Sequence, residues 1–243
     1  MGSGFGAPRR HYQRTDSTNT RARELAAAGA PHGTVVTAGE QTAGRGRQGR
    51  SWTTPAGKAL LYSAVVRPLG ARDTLLPLAV PLAVCEAAEE LQPGLVCGVK
   101  WPNDVQVEGH KLAGVLIEAR PQDGWAVVGV GLNLAISRDE FPPELRETAT
   151  SIFPVADRTL SPTGLQTVAA GALSGRLEEW LDAGQEAVLA AWRERDVLRG
   201  REIAWEGGSG IADGIDDRGY LLVVIAAGER IALGAGEVHL TRI

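Results

Sequence analysis

The stretch Glu40-Gln41-Thr42-Ala43-Gly44-Arg45-Gly46-Arg47-Gln48-Gly49-Arg50-Ser51-Trp52 carries glycines at 44, 46 and 49. Formally that is G-x-G-x-x-G, the dinucleotide fingerprint, which would make the chain a doubly wound α/β protein. The fingerprint works only where it opens a helix whose N-terminus receives a pyrophosphate. Here Ser51-Trp52-Thr53-Thr54-Pro55-Ala56-Gly57 follows, and no helical pattern starts. A P-loop fails as well. Gly57-Lys58 is followed by Ala59 where a hydroxyl for Mg²⁺ belongs, and Trp52 stands at the place of the first glycine. What remains is a glycine-relaxed loop carrying Arg45, Arg47 and Arg50 within six residues. Glycine permits close backbone approach, and guanidinium forks grip carboxylate or phosphate oxygens at two points. The loop reads as an anion clamp; a solvated basic loop or an RNA-touching patch is the plainer alternative. Its cations repel one another, so it is expected to move until an anion arrives.

On the N-terminal side of the loop, an extended piece at Arg10–Arg14 leads to Asp16-Ser17-Thr18. These residues offer capping side chains ahead of a helix over Arg21–Ala28 that Gly29 stops. Gly33–Ala38 is β-branched and reads as a strand. Beyond the loop, Leu60–Val66 reads as a buried strand and Asp73–Leu91 as a helix that Pro77 and Pro81 kink or delay. Val96–Lys100, Val105–Val107, Lys111–Glu118 and Trp125–Leu134 read as strands, with Glu108-Gly109 as a hairpin turn. Leu165–Leu181 and Glu186–Arg195 read as helices. From about residue 197 only short β-like runs remain: Glu202–Trp205, Tyr220–Ala226, Arg230–Leu233 and Glu237–Thr241. This predicts an α+β domain over 1–196 and a small all-β barrel over 197–243.

A chain of 243 residues buries roughly 70–75% of its unfolded surface, enough to fold without a metal or disulfide. Hydrophobic residues at 44% and charged residues at 22% exclude a disordered or collagen-like chain. The net charge of −4 argues against a nucleic-acid coat protein, but it hides an asymmetry. Residues 1–60 hold nine basic and three acidic groups, the remainder 16 and 26, so positive charge gathers around the loop. Of 25 basic residues 22 are Arg. Lys58, Lys100 and Lys111 are therefore candidates for a role needing a compact ammonium, with simple chance as the alternative. Cys85 and Cys97 lie in apolar surroundings and read as buried thiols of a reducing compartment. No apolar run approaches the ~20 residues of a membrane span, and the first ten residues lack a secretory apolar stretch. The chain reads as a soluble, cytoplasmic protein.

Three further segments can carry chemistry. In Lys100-Trp101-Pro102-Asn103-Asp104, Pro102 ends a strand, keeps Trp101 extended and presents Lys100, Asn103 and Asp104 at a strand-end turn. Asn-Asp is equally ordinary turn chemistry. Lys111-Leu112-Ala113-Gly114-Val115-Leu116-Ile117-Glu118 opens with either an edge-protecting charge or, given Gly114, a ligand group beside bare backbone. In Gly129-Val130-Gly131-Leu132-Asn133 the glycines mark either a bulge or a strand thinned to admit a planar ring, with Asn133 adding a donor and an acceptor. The four histidines have no metal-ligand spacing, and neither C-x-x-C, H-E-x-x-H nor G-x-S-x-G occurs.

Taken together, these segments resemble the biotin–protein ligases. The signatures are Asp16-Ser17-Thr18-Asn19, Glu40–Trp52, Lys100–Asp104, Lys111–Glu118 and Gly129–Asn133, in the family's order and approximate spacing. The tail, with Gly214-Ile215-Asp216-Asp217, Leu221-Leu222-Val223 and Gly236-Glu237-Val238, is similar to the family's C-terminal module. The resemblance implies a class II aminoacyl-tRNA synthetase-like catalytic domain, a mixed sheet flanked by helices, followed by an SH3-like β-barrel. It also implies two steps. Biotin's carboxylate attacks the α-phosphate of Mg-ATP, giving biotinoyl-5′-AMP and pyrophosphate; a lysine of a biotin carboxyl carrier domain then displaces AMP. The chain starts about where the catalytic domain starts, which implies a ligase without DNA-binding or repressor function, acting as monomer or homodimer.

The resemblance also assigns roles. Ser17, Thr18, Asn19 and Gln41 supply polar contacts at the biotin end, with Gly44, Arg45, Gly46 and Arg47 over the ligand. Arg47 and Lys111 hold the carboxylate and later the acyl-phosphate oxygens, and with Asp104 make up the catalytic set. Arg45, Arg50, Trp52, Lys100, Asn103 and Asn133 serve the ATP side. Asp104 holds Mg²⁺ or takes the proton of the incoming amine. The loop becomes a lid over a water-sensitive adenylate. A lipoate–protein ligase would share the fold and the adenylate logic, but the loop and appended barrel favour biotin. A nucleic-acid-binding module is disfavoured by the acidic remainder.

Overall fold

A computed structural model describes residues 5–70, 74–153, 161–234, 236 and 238–240. Asp73, Glu237 and Thr241, ends of expected elements, lie outside them. Seven strands come first: β1 (Arg9–Thr15), β2 (Val35–Gln41), β3 (Ala59–Val66), β4 (Gly98–Lys100), β5 (Asp104–Val107), β6 (His110–Arg120) and β7 (Trp125–Asn133). They form one mixed sheet in the order β1-β2-β3-β7-β6-β5-β4, in which only the β1–β2 pair is parallel. The helices are α1 (Thr18–Ala27), α2 (Leu76–Leu91), α3 (Pro162–Asp182) and α4 (Gln185–Glu194). A second, antiparallel sheet follows in the order β11-β10-β9-β8-β12, built from β8 (Glu202–Trp205), β9 (Gly208–Ile215), β10 (Leu221–Val224), β11 (Arg230–Leu233) and β12 (Val238–Leu240). The α+β class and the all-β tail both appear.

Strand alternation sorts the helices onto two faces. Leu60, Tyr62, Ala64 and Val66 of β3, with Ala126, Val128, Val130 and Leu132 of β7, join the main core with α2 and α3. Their neighbours Val65, Trp125 and Val127 face the other way and pack with Ala22 and Ala26 of α1. On β7 this second face then turns bare, at Gly129 and Gly131. Those two positions open the floor on which the site is built.

Three local outcomes differ from the sequence pattern. The extended piece expected at Arg10–Arg14 is a longer strand, β1 over Arg9–Thr15, although RRHYQRT lacks apolar alternation, because parallel pairing with β2 supplies its hydrogen bonds. β9 was invisible in GSGIADGI, where glycines lower β propensity and pairing with β8 and β10 decides. The strand expected from Val96 starts only at Gly98, and Val96 is 78% exposed. The proline question in α2 resolves as a late start: the helix begins at Leu76 with Pro77 in its first turn and continues through Pro81.

Cys85 and Cys97 are free and buried. A hydrogen bond with Cys97, then burial, pushes the Cys85 thiol well up, which makes it inert. Lys58, one of the three lysines, is tied to Glu140. That bond, followed by hydrogen bonds from Ser137, lowers the Glu140 carboxyl from 4.5 to about 2. A depressed carboxyl contributes stability above its unfolded value, lost as pH falls through its folded one. Thermal melts from pH 5 down to 2 should show a shallower fall in Tm for Lys58→Met than for the parent; parallel curves would refute the assignment.

Candidate active site

A cleft opens over the bare part of the sheet, and the expected segments converge on it. Ser17, Thr18 and Asn19 enter from the start of α1. Ser17 occupies the N-cap position but makes no side-chain capping bond among the described residues, so its hydroxyl is left to the cleft. Thr18 donates through its amide and hydroxyl to Gln41 Oε1, at 2.7 and 3.0 Å. Ser63 Oγ donates to Asn19 Oδ1 at 2.6 Å and lies 2.8 Å from Thr18 Oγ1. A buried polar network of this kind fixes every member's orientation.

The two glycines of β7 explain themselves here. A Cβ at Gly129 would stand 2.1 Å from Asn19 Oδ1, and one at Gly131 would stand 2.3 Å from the Trp52 ring. Across on β6, a Cβ at Gly114 would lie 3.1 Å from the same ring. The strand is indeed thinned to admit a planar ring, but that ring is the protein's own Trp52. The indole in turn roofs toward Lys111, whose Nζ lies 5.7 Å from the ring centroid.

The arginine loop is a small closed hairpin. Arg45 bridges Ser51, the Gly46 amide donates to the Arg50 carbonyl at 2.7 Å, and the Trp52 amide donates to the Gly44 carbonyl at 2.9 Å. A Cβ at Gly44 would meet the Trp52 carbonyl at 2.3 Å, so only glycine fits that closure. Arg45 grips Glu118 through both terminal nitrogens, at 3.2 and 2.8 Å. Arg47 donates to Asn103 Oδ1 at 3.2 Å. Arg45 Nε and Trp52 Nε1 are buried with no hydrogen-bond partner among the described residues.

Lys111 reaches the cleft through a register break. Asp104 pairs with Gly114 and Val105 with Ala113, but Gln106 pairs with Lys111, leaving Leu112 as an extra residue on β6. Leu112 and Ala113 both enter the core. The bulge shifts parity, so Lys111 joins Gly114, Leu116 and Glu118 on the cleft side. The Glu108-Gly109 turn, both residues at positive φ (50° and 81°), closes that hairpin as expected. Lys111 Nζ then lies 2.6 Å from Asp104 Oδ1.

Residues 12–134 match the biotin/lipoate A/B protein ligase family, and residues 198–240 match the biotin protein ligase C-terminal domain. A biotin–[acetyl-CoA-carboxylase] ligase of Mycobacterium tuberculosis is 36% identical, over 92% of this chain and 85% of its own. This chain belongs to the biotin protein ligase family. The biotin protein ligase of Aquifex aeolicus in complex with biotin and ATP superposes with a TM-score of 0.79 at 27% identity, covering 98% of this chain and all of that one. The bifunctional ligase/repressor BirA of Bacillus subtilis is 32% identical, and the chain spans 66% of its length.

For a biotin protein ligase family member, most of the expected site residues stand in one place. Ser17, Thr18, Asn19, Gln41, Arg45, Gly46, Arg47, Arg50 and Trp52 line the cleft with Lys100, Asn103, Asp104 and Lys111. Lys58, of the three lysines, does not. Two other expectations fall elsewhere. Asn133 is 3% exposed, outside the lining, and spends its amide on the Thr150 carbonyl at 2.9 Å. Gly44 shapes the loop from beneath. Sequence reasoning passed over Glu118, Leu145 on the rim, and Val238, which brings β12 of the second sheet to the cleft. Trp101 also links the halves, donating from Nε1 to the Gly219 carbonyl at 3.1 Å.

The described residues offer no all-protein cage for Mg²⁺. Among the described residues no group of three or more His, Cys, Asp or Glu side chains could hold a metal. Asp104 is engaged by Lys111. Mg²⁺ commonly binds through substrate phosphates and water rather than an all-protein cage.

Proposed function

We propose that this chain is an ATP-dependent biotin–protein ligase of the cytoplasm. It activates biotin as biotinoyl-5′-AMP with release of pyrophosphate, then transfers it to a lysine of a biotin carboxyl carrier domain. Any Mg²⁺ arrives on the nucleotide. What supports the reading is the convergence of Lys111 and Arg47, from separate segments, on one cleft whose wall is stripped of side chains. Among the described residues no helix is long and apolar enough to cross a membrane.

The chemistry explains the cations. A carboxylate and a phosphate oxygen brought to about 4 Å repel by about 4 kcal/mol at the effective dielectric of a partly exposed site. Fixed positive groups aimed at those oxygens remove that barrier without reorganising during reaction. Lys111, held by Asp104 and backed by Trp52, is a compact point charge; Arg47 offers a two-point fork. Thr18, Gln41 and Asn19, locked by Ser63, form the polar end that orients the substrate's head. Asp104 is the acidic group beside Lys111 and receives the proton of the attacking amine.

Incubation with biotin, Mg-ATP and a carrier domain should add one biotinyl group by mass spectrometry, and pyrophosphate exchange should require biotin and not lipoate. Exchange driven by lipoate alone would move the assignment to the lipoate branch. Arg47→Gly should release adenylate faster and label bystander lysines. Retention and selectivity equal to the parent's would remove Arg47 from the lid.

A further inference from the structure

We propose that Glu118 is the latch of the arginine loop: a positioning residue that, by holding Arg45, keeps the whole 44–52 hairpin on the cleft. The inference rests on the reading of the cleft as a biotin-activating site. The hairpin is internally braced by the Arg45–Ser51 bridge and the Gly46–Arg50 and Gly44–Trp52 hydrogen bonds, so it moves as one piece. Two anchors hold that piece to the sheet from its base. One is the indole of Trp52 in the notch left by Gly131 and Gly114. The other is the forked pair of Arg45 with Glu118, at 3.2 and 2.8 Å. Arg47 sits at the tip, on Asn103.

Glu118 is built to hold rather than to react. It stands on the cleft side of β6, 23% exposed, and three side chains from two segments donate to it. Arg45 comes from the loop, Arg23 from the outer side of α1 at 3.1 Å, and Asn19 from the head of α1 at 2.8 Å. Charge-assisted, two-point pairs of this kind are the strong and orienting ones. With both terminal nitrogens taken by Glu118, Arg45 is left with its buried Nε as the one donor lacking a partner among the described residues, and Arg45 lines the cleft. Glu118 therefore fixes both the loop and the direction of the remaining donor. Lost contact at Glu118 frees the base of the hairpin and with it the tip.

The loop carries its own reporter, since trypsin cuts after Arg47 and Arg50. In Glu118→Gln, cleavage between 45 and 51 should quicken by about tenfold, and pre-formed adenylate should escape about tenfold faster, as expected for losing a hydrogen bond between charged groups. Arg45→Gln removes the same pair while leaving Asn19 and Arg23 on Glu118; it should quicken cleavage after Arg47 and Arg50 equally, and the double variant should be no worse than either single. Arg23→Gln, which keeps the Arg45–Glu118 pair, should leave cleavage and adenylate lifetime at the parent's values. The latch is overturned if Arg45→Gln is cut at the parent's rate, or if Arg23→Gln matches Glu118→Gln, which would make Glu118 a support of α1 only. The proteolysis is independent of catalysis. Should the parent form no adenylate, the functional reading fails, and the cleavage series still decides the latch.

Discussion

Alanine in place of Lys111 should slow biotin-dependent pyrophosphate exchange by about 10²–10³-fold, the usual cost of deleting one preorganised charge-stabilising donor. The ammonium is a compact cation of the cleft, 2.6 Å from Asp104 and 5.7 Å from the Trp52 ring centroid. Removing it withdraws the charge that offsets two approaching anions and leaves Asp104 to add a third. Asp104→Asn on top of Lys111→Ala relieves only that repulsion, so the double variant recovers little. Lys111→Arg restores charge but not shape, because a planar fork cannot replace a point charge between a carboxylate and an indole. A Lys111→Ala rate within a few-fold of the parent would take Lys111 out of the first step.

Valine at Gly131 is expected to be nearly as damaging, by a different route. Its Cβ would lie 2.3 Å from the Trp52 ring, a distance no packing tolerates, so the indole must leave its seat. Overfilling a close-packed site costs about 1–3 kcal/mol. Here the loss falls on the loop's anchor, and biotin affinity should drop by roughly 10–100-fold, the same energy expressed in binding. Pairing Gly131→Val with Trp52→Ala separates this from general misfolding. If the ring is the clashing partner, the second change costs far less in the Gly131→Val background than alone. Titration of biotin by intrinsic fluorescence or calorimetry measures both, and strictly additive losses would contradict the seat.

Much of the cleft's lining is legible in the sequence. The arginine loop, the Lys100–Asp104 turn, Lys111 and the paired glycines of β7 are unusual residues in short runs, and such runs announce themselves locally. What stayed hidden depends on who sits opposite whom. Glu118 looks like an ordinary polar end to an apolar strand until α1 and the loop fold onto it. The ring admitted by Gly131 is supplied from 79 positions away, and no spacing rule names it. Asn133, at the end of the thinned strand, reads as an amide offering a donor and an acceptor to a ligand. Its position at the end of β7 instead places it beside the Thr150 carbonyl, which claims it. The fold was read by the same measure: strongly patterned strands and helices were clear, whereas β1 and β9 draw their stability from neighbours rather than from their own composition.

The extra residue at Leu112 has one more consequence. Because it swaps which side of the strand Lys111 occupies, losing or gaining a single codon between Lys111 and Gly114 would turn the ammonium into the apolar interior, and His110 to the opposite face, while leaving the strand from Gly114 onward in place. Divergence along this hairpin is therefore free to exchange one aliphatic group for another, but its length is under stricter constraint than its chemistry.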